Sequence, residues 1–208
     1  TYDELVTAFT NGKDPASPNI SLTNQDTIRL TADITFSLGI DANYTLNVYA
    51  GTTRTLDLNG YTLKHLVVNT APFARIITMF NNTTLNICDS RGTGRMINDC
   101  HANFSLATNP EHFDGGSFGI NSACVANSYD TRDYIATKNC VVNIYGGKLI
   151  AQNYGNQDAE CSAIQGFPTI VPNVKYSNLL SNNLLYSGGG HVEAPNMTVN
   201  LYGGSANI

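Results

Sequence analysis

Two segments of the sequence hold most of the side chains that could do chemistry, residues 126–139 and residues 168–196. The candidates for catalysis in them are Asp130, Arg132, Asp133, Lys175, His191 and Glu193. Two carboxylates that meet in space can act as general acid and general base, the arrangement that cleaves glycosidic bonds. Asp130 and Asp133 also offer oxygen ligands suited to Ca²⁺, at a spacing far less specific than that of an EF-hand loop. We expect no cofactor other than Ca²⁺, and no single residue is assigned a catalytic role.

Tyrosines form the second set of candidates, because sugars bind flat on aromatic rings. The chain has 11 Tyr and no Trp. Tyr145 and Tyr202 each precede a Gly-Gly pair in the same repeated phrase, so we expect them to stack on the outside of neighbouring repeats. The other ligand-binding candidates lie within the two segments and are Tyr129, Tyr134, Tyr176 and Tyr186. The alternative role for the stacked pair is to shield the bend of the chain beside it.

The charge balance excludes some partners. Charged residues make up 13% of the chain and the net charge is −5. Nucleic acids and anionic membrane surfaces are bound by patches of Lys and Arg, so we expect neither as a partner. No apolar run approaches the roughly 18–20 residues that a membrane span requires, and we expect no membrane insertion. The five Cys are an odd number without zinc-ligand spacing, so the sequence predicts buried free thiols.

An internal repeat reveals the elements that must position these residues. The phrase VVNIYGGKLIA at residues 141–151 returns 57 residues later as TVNLYGGSANI. Looser copies occur at residues 27–36, 55–64 and 84–98. The copies align on pairs of apolar residues, which are Ile28/Leu30, Leu56/Leu58, Leu85/Ile87, Val142/Ile144 and Val199/Leu201. Apolar residues at alternate positions predict β-strands, not helices.

Each repeat also contains an earlier apolar strand, at residues 44–50, 75–81, 117–125 and 161–167. Three short strands per repeat, separated by bends, predict an all-β, right-handed parallel β-helix of about five coils. Gly60, Gly146 and Gly203 are expected at one bend, where a positive φ favours glycine. A Greek-key sandwich is the rival fold, but it does not predict the same phrase at every level.

We predict one β-helix domain over residues 1–208. A capping α-helix is expected at residues 1–12, because Thr1 and Glu4 have capping-box spacing and Gly12 is a stop signal. The coils are expected over residues 26–208, with loop insertions at 99–116, 126–139 and 168–196. The final strand has no cap in this sequence, so we expect further domains or another chain at the open C-terminal coil.

Stacked coils place equivalent residues in columns. The outward column beside the apolar pairs is predicted to contain Thr27, Thr55, Thr84, Val141 and Thr198, with Arg29, Asp57, Asn86, Asn143 and Asn200 next to it. A polar column on an exposed sheet face is the default for a β-strand protein. Stacked Asn side chains are further expected to form a hydrogen-bonded ladder that stabilises the fold.

The N-terminal helix followed by DTIRLTADITF, TLDLNGYTLK and VVNIYGGKLIA resembles the pectate-lyase-like β-helix domains of bacterial secreted and cell-surface proteins. The resemblance implies a secreted or cell-surface location and covers nearly the whole chain as architecture. The same fold hosts lyases, hydrolases and adhesins, so it does not define the chemistry. Lyases of this fold use carboxylates to hold Ca²⁺ and an Arg or Lys as base, but their Arg-x-Pro-x-x-Arg pattern is absent here.

The leading functional hypothesis is therefore a carbohydrate-binding or adhesive module that recognises a glycan or a host or cell-surface polysaccharide. A polysaccharide lyase or glycoside hydrolase, with its acids on the corner loops, is the first alternative. A structural stalk without a ligand is the second.

Overall fold

The computed structural model describes residues 1–9, 27–37, 45–67, 73–100, 121–127, 129–130, 135–136, 138–153, 160–165 and 197–207. Within these ranges the chain forms one helix, α1 (Tyr2–Phe9), and short strands that recur in a fixed order. Nearly all of the strands belong to three sheets.

The strands of each sheet come from successive repeats of the chain. The first sheet contains β1 (Thr27–Arg29), β4 (Thr53–Asp57), β7 (Thr83–Cys88), β12 (Cys140–Ile144) and β15 (Met197–Leu201). The second contains β2 (Ile34–Phe36), β5 (Thr62–Val67), β8 (Arg95–Cys100), β13 (Lys148–Asn153) and β16 (Ser205–Asn207). The third contains β3 (Leu46–Val48), β6 (Phe73–Met79), β9 (Asn121–Asn127) and β14 (Glu160–Gln165). Two further strands, β10 (Tyr129–Asp130) and β11 (Ile135–Ala136), form a separate antiparallel pair.

Every pairing within the three sheets is parallel, and each strand bonds to its counterpart one coil away. The chain therefore passes through the first, second and third sheets in turn and then begins the next coil. This is a parallel β-helix with three strands per coil, which confirms the predicted fold class. The four strands predicted ahead of the repeated phrases all belong to the third sheet.

One part of the predicted alignment is wrong. The sequence alignment places Leu85 over Leu56 and Thr84 over Thr55. In the structure Leu56 lies in register with Ile87, and Leu85 lies in register with Arg54. Leu56, Leu85, Val142 and Val199 were predicted to form one stack of side chains. In the structure Leu85, Val142 and Val199 form one stack, and Leu56 belongs to a second stack displaced by two residues. Because side chains alternate with a period of two, every residue still points to the predicted side of the sheet.

The bend between the first and second sheets also differs between these two coils. After β4 the chain turns through Asn59 and Gly60, whereas after β7 it makes a longer turn through residues 89–94. Gly60 has the expected positive φ of 81°, but Gly146 and Gly203 do not. In each Gly-Gly pair the second glycine has the positive φ, 86° at Gly147 and 81° at Gly204. The first glycine is needed for close packing, since a Cβ at Gly203 would lie 2.6 Å from the Tyr145 carbonyl oxygen.

The helix α1 packs on the end of the stack, as predicted. Leu5 and Phe9 are buried in the common core, and Tyr2, Val6 and Ala8 pack against it. At the N-terminus the Glu4 amide donates to Thr1 Oγ1 at 3.4 Å, while the Thr1 amino group contacts Glu4 Oε2 at 2.6 Å. This reciprocal contact is the predicted capping box. The helix is described to Phe9 only, and the remaining residues of the predicted helix lie outside the described part.

Two predicted loop boundaries need correction. The strand β8 continues through Asp99 to Cys100, so the chain is still in the second sheet where the insertion 99–116 was predicted to begin. The strand β9 continues to Asn127, past the predicted start of the insertion 126–139. Part of that second insertion is the antiparallel pair of β10 and β11. In both places pairing with the preceding coil extends the strand beyond its apolar residues.

Candidate functional site

Tyr145 and Tyr202 stack on each other at the end of the first sheet. Their ring centroids are 4.9 Å apart and the rings are inclined by 9°. Both side chains are solvent-exposed, Tyr145 by 52% and Tyr202 by 66%. Their backbone positions are fixed by the stacked coils, because the Tyr145 amide donates to Ile87 O and the Tyr202 amide donates to Ile144 O, each at 2.8 Å. The expected outward stack is therefore present.

The geometry of the pair decides which aromatic surface is open to a ligand. The two rings are nearly parallel and in contact, so each covers one face of the other. A sugar cannot lie across both rings as on a flat platform. It can contact the exposed outer edges and hydroxyl groups of both rings.

A ladder of amide side chains runs beside the tyrosines on the same outward face. Asn200 Nδ2 donates to Asn143 Oδ1 at 2.9 Å, and Asn143 Nδ2 donates to Asn86 Oδ1 at 2.9 Å. Asn86 Nδ2 then donates to Thr55 Oγ1 at 3.1 Å. Each Asn side chain can form more hydrogen bonds than the ladder uses, since an amide group has two N–H donors and an oxygen with two lone pairs. The expected ladder is present, and its members remain half-exposed with capacity for a polar ligand.

The bend next to the tyrosines is held by two aspartates. Asp57 Oδ1 accepts hydrogen bonds from the backbone amides of Asn59 and Ser90 at 2.8 and 2.9 Å, and its Oδ2 accepts one from Arg29 at 2.9 Å. Burial by itself raises the pKa of Asp57, but these bonds and the Ser90 side chain outweigh it and lower the pKa below the usual value. Asp89 accepts from the amides of Gly60 and Gly94 at 2.7 and 2.6 Å. These carboxylates stabilise the turns and are not free to act on a substrate.

Two further aspartates of the coils are also engaged in contacts within the fold. Asp33 accepts a hydrogen bond from the Thr62 amide at 2.7 Å, and Asp99 pairs with Lys64. Among the residues that the structure describes, no group of three or more His, Cys, Asp and Glu side chains could hold a metal ion. The described scaffold therefore offers no pair of uncommitted carboxylates for general acid and base catalysis.

The catalytic candidates stay predictions. Asp130 and Tyr129 form the strand β10, but their side chains lie outside the described part. The remaining loop candidates fall wholly outside the described residues; they are Arg132, Asp133, Tyr134, Lys175, Tyr176, Tyr186, His191 and Glu193. The suggested meeting of the loop acids and the Ca²⁺ ligands Asp130 and Asp133 is untested for the same reason.

The sequence reasoning missed two exposed cations beside the tyrosines. Arg95 in β8 and Lys148 in β13 are direct register partners on neighbouring coils, and both side chains are exposed. Lys148 follows Tyr145 after only Gly146 and Gly147. The phrase YGGKL could have revealed that Lys148 lies near Tyr145, because an outward Tyr and the first residue of the next strand must lie on the two sides of one bend.

Cys124 and Cys140 are buried as predicted, and Cys88 is a free thiol. Cys124 Sγ contacts the backbone oxygen of Ile150 at 3.3 Å, and Cys140 Sγ contacts that of Phe80 at 3.3 Å. Cys88 is only half-buried on the outward face, and burial together with Asp57 raises the pKa of its thiol.

Comparison with known proteins identifies no relative: no protein family, curated protein or solved structure matches this chain. The resemblance to pectate-lyase-like domains thus has no support beyond the shared architecture. In the described part of the chain, no helix has the length and apolar character needed to cross a membrane.

Proposed function

We propose that the chain is a carbohydrate-binding or adhesive module of an exported or cell-surface protein. The observation that carries the proposal is the pair of exposed, stacked tyrosines on a rigid β-helix. An exposed aromatic ring that stacks on its neighbour, with its backbone held by hydrogen bonds, loses little conformational entropy when a ligand binds.

The neighbouring polar side chains support the same proposal. A sugar presents an apolar ring face and a rim of hydroxyl groups, so its binding site needs an aromatic surface beside hydrogen-bonding groups. The exposed rings of Tyr145 and Tyr202 provide the first, and the amide ladder of Asn86, Asn143 and Asn200 provides the second. The two columns are adjacent because Asn200 and Tyr202 are two residues apart and point to the same side of the first sheet.

A glycan array followed by titration of the best ligand tests the proposal. Tyr202→Ala should weaken binding by about tenfold or more, since it removes the more exposed ring of the pair; each factor of ten corresponds to about 1.4 kcal/mol. Tyr49→Ala is the matched control, because Tyr49 is also exposed and stacks on a ring, that of Phe80, but lies at a different bend. Tyr49→Ala should leave binding unchanged.

Three outcomes would contradict the proposal. Equal loss in both variants would indicate a general structural effect and not a site at the tyrosine pair. Turnover of a polysaccharide, with or without Ca²⁺, would favour the lyase or hydrolase alternative. Neither binding nor turnover would favour the structural stalk.

A further inference from the structure

Arg95 and Lys148 form an exposed pair of like charges on adjacent coils. Their backbones are direct partners in the second sheet, so the two side chains leave the surface one strand spacing apart. Ser205 occupies the next position of the same column, where it pairs with Lys148. Arg91 is exposed on the longer turn that precedes β8. Two or three cations thus face solvent in a chain whose net charge is −5.

This arrangement is unfavourable in the free protein. Like charges directly opposite each other on neighbouring strands destabilise a sheet. Two other cations of the sheets have acidic partners, since Arg29 pairs with Asp57 and Lys64 pairs with Asp99. No acidic side chain among the described residues pairs with Arg95 or Lys148. The pair would be stabilised by an anion that bridges the two side chains.

The cation pair and the tyrosine pair lie on opposite sides of the same row of bends: Tyr145 and Lys148 share a coil, whereas Arg95 lies one coil before and Tyr202 one coil after. Gly146 and Gly147 separate Tyr145 from Lys148, and Gly203 and Gly204 separate Tyr202 from Ser205. Backbone hydrogen bonds from Lys148 N to Gly94 O and from Ser205 N to Gly147 O, both 3.0 Å, fix the coils on the cation side. The bend itself carries no side chains in these two coils, so nothing in them stands between the aromatic column and the cationic column.

We propose that the glycan bound at the tyrosine pair carries an anionic group, a carboxylate or a sulfate ester, which Arg95 and Lys148 hold across the bend. The inference rests on the proposed carbohydrate-binding function and specifies its ligand class. One sugar unit contacts the tyrosine pair, while the anion of a neighbouring unit lies between the guanidinium and the ammonium groups. Arg95 can bind a carboxylate or sulfate through two parallel hydrogen bonds, and Lys148 contributes a point charge.

A nucleic acid is a poorer ligand for the same cations. Duplex and single-stranded nucleic acids are bound through many phosphate contacts along a basic surface. The described surface has a small cationic group, and the acidic chain around it repels a long polyanion. A short anionic segment of a glycan requires only the local pair.

The test measures binding of three oligosaccharides of matched length: one with uronic acid carboxylates, one with sulfate esters and one uncharged. At low ionic strength at least one anionic ligand should bind about tenfold more tightly than the uncharged one. The preference should shrink as salt is added, because exposed charges are screened. The carboxylate and sulfate ligands distinguish the two sources of the anion.

Variants locate the effect. The double variant Arg95→Gln with Lys148→Gln should reduce anionic-ligand affinity to that of the uncharged ligand and remove the salt dependence. Lys138→Gln is the matched control, since Lys138 is exposed but lies at the bend that precedes β12. It should leave the affinity unchanged. Unfolding curves of all variants verify that the double variant is folded, and loss of a like-charge pair should not destabilise it.

The outcomes separate this inference from the function on which it rests. If the uncharged ligand binds as tightly as the anionic ones, and Tyr202→Ala abolishes that binding, the glycan module stands and the anionic ligand is refuted. If the double variant keeps the anionic preference, the site is elsewhere and the inference is again refuted. If none of the three ligands binds, in agreement with an array that yields no ligand, both proposals fail.

Discussion

At the scale of single residues, His65 is the most unusual side chain of the described core. It is 2% exposed and points into the coils, where its ring lies 4.8 Å from that of Phe36. Phe36 in turn stacks on Tyr2 of the helix α1 at 3.9 Å. Neither ring nitrogen of His65 is within hydrogen-bonding geometry of a partner. The nearby Asn98 amide favours the protonated ring, but burial is the larger effect and lowers the pKa of His65 to about 4.

This histidine should make the protein less stable in mild acid. The unfolded chain binds a proton at His65 near pH 6.5, whereas the folded chain binds it only near pH 4. The free energy of unfolding should therefore fall as the pH is lowered from about 6.5 to about 4, by at most about 3 kcal/mol in total. The groups beside His65 are the Phe36 ring and the Asn98 amide, and neither of them carries a compensating negative charge.

Urea unfolding at a series of pH values tests this prediction. His65→Leu should remove most of the pH dependence between 6.5 and 4, and the difference from the wild type isolates His65 among the 4 His of the chain. Asn98→Leu is the matched variant, since it changes the same column but keeps the histidine. It should retain or increase the pH dependence. An unchanged slope in His65→Leu would contradict the prediction.

The sequence was sufficient to place these residues but not to explain them. Alternation with Leu63 and Leu56 puts His65 and Arg54 on the inward side of their strands. Burying a cation or an imidazole costs free energy unless neighbouring groups compensate for the loss of water. Those neighbouring groups belong to distant segments of the chain. For Arg54 the surroundings include the end of α1, which no local pattern indicates.

At the scale of elements, the strands were predictable and their register was not. The apolar alternation identifies a strand and the face that it buries, because both follow from a period of two. A shift of two residues preserves both, so the sequence cannot distinguish Leu56 over Leu85 from Leu56 over Ile87. The structure shows the same offset in the preceding third sheet, where Leu46 lies in register with Ile77, so the register belongs to the whole coil and not to the strand alone.

The helix α1 depends on an element that the sequence did not connect to it. Buried Arg54 of β4 donates from Nε to the Phe9 carbonyl at 3.3 Å and from Nη1 to the Thr53 carbonyl at 2.9 Å. The last carbonyl groups of a helix have no partner within it, and a cation at that end also interacts favourably with the helix dipole. We infer that Arg54 fixes the C-terminal end of α1 to the second coil.

Arg54→Met should release the helix while the coils remain folded. Hydrogen exchange of the amides in α1 should accelerate by about tenfold or more, which corresponds to a loss of about 1.4 kcal/mol or more and fits the range for a hydrogen bond to a charged group. Arg29→Met is the matched control, because Arg29 bonds to Asp57 on the outside and not to α1. It should leave exchange in α1 unchanged. Equal protection of α1 in both variants would show that apolar packing alone holds the helix.

At the scale of the whole molecule, the repeat made the architecture predictable and left the loops open. The same phrase at each level requires that each coil rest on the next, and the pairing of Asn143 with Asn86 and Asn200 confirms that rule. Residues 168–196 contain no such phrase, so the sequence suggests candidate site residues there but does not predict where in the fold they lie. The tyrosine pair was found because it belongs to the repeat, whereas the Arg95 and Lys148 pair requires the register of β8 with β13.

The same Val→Ala substitution should lower the free energy of unfolding by different amounts in different coils of the core. Val142 and Val199 are register partners on β12 and β15, but Val142 is fully buried and Val199 is half-buried. Val142→Ala opens a cavity between coils on both sides and should lower the free energy of unfolding by about 1–3 kcal/mol. Val199→Ala removes the same atoms where less surface is buried and should lower it by less than about 1 kcal/mol. Urea unfolding of the two variants measures the difference, and equal losses would show that Val199 is buried as fully in solution as Val142.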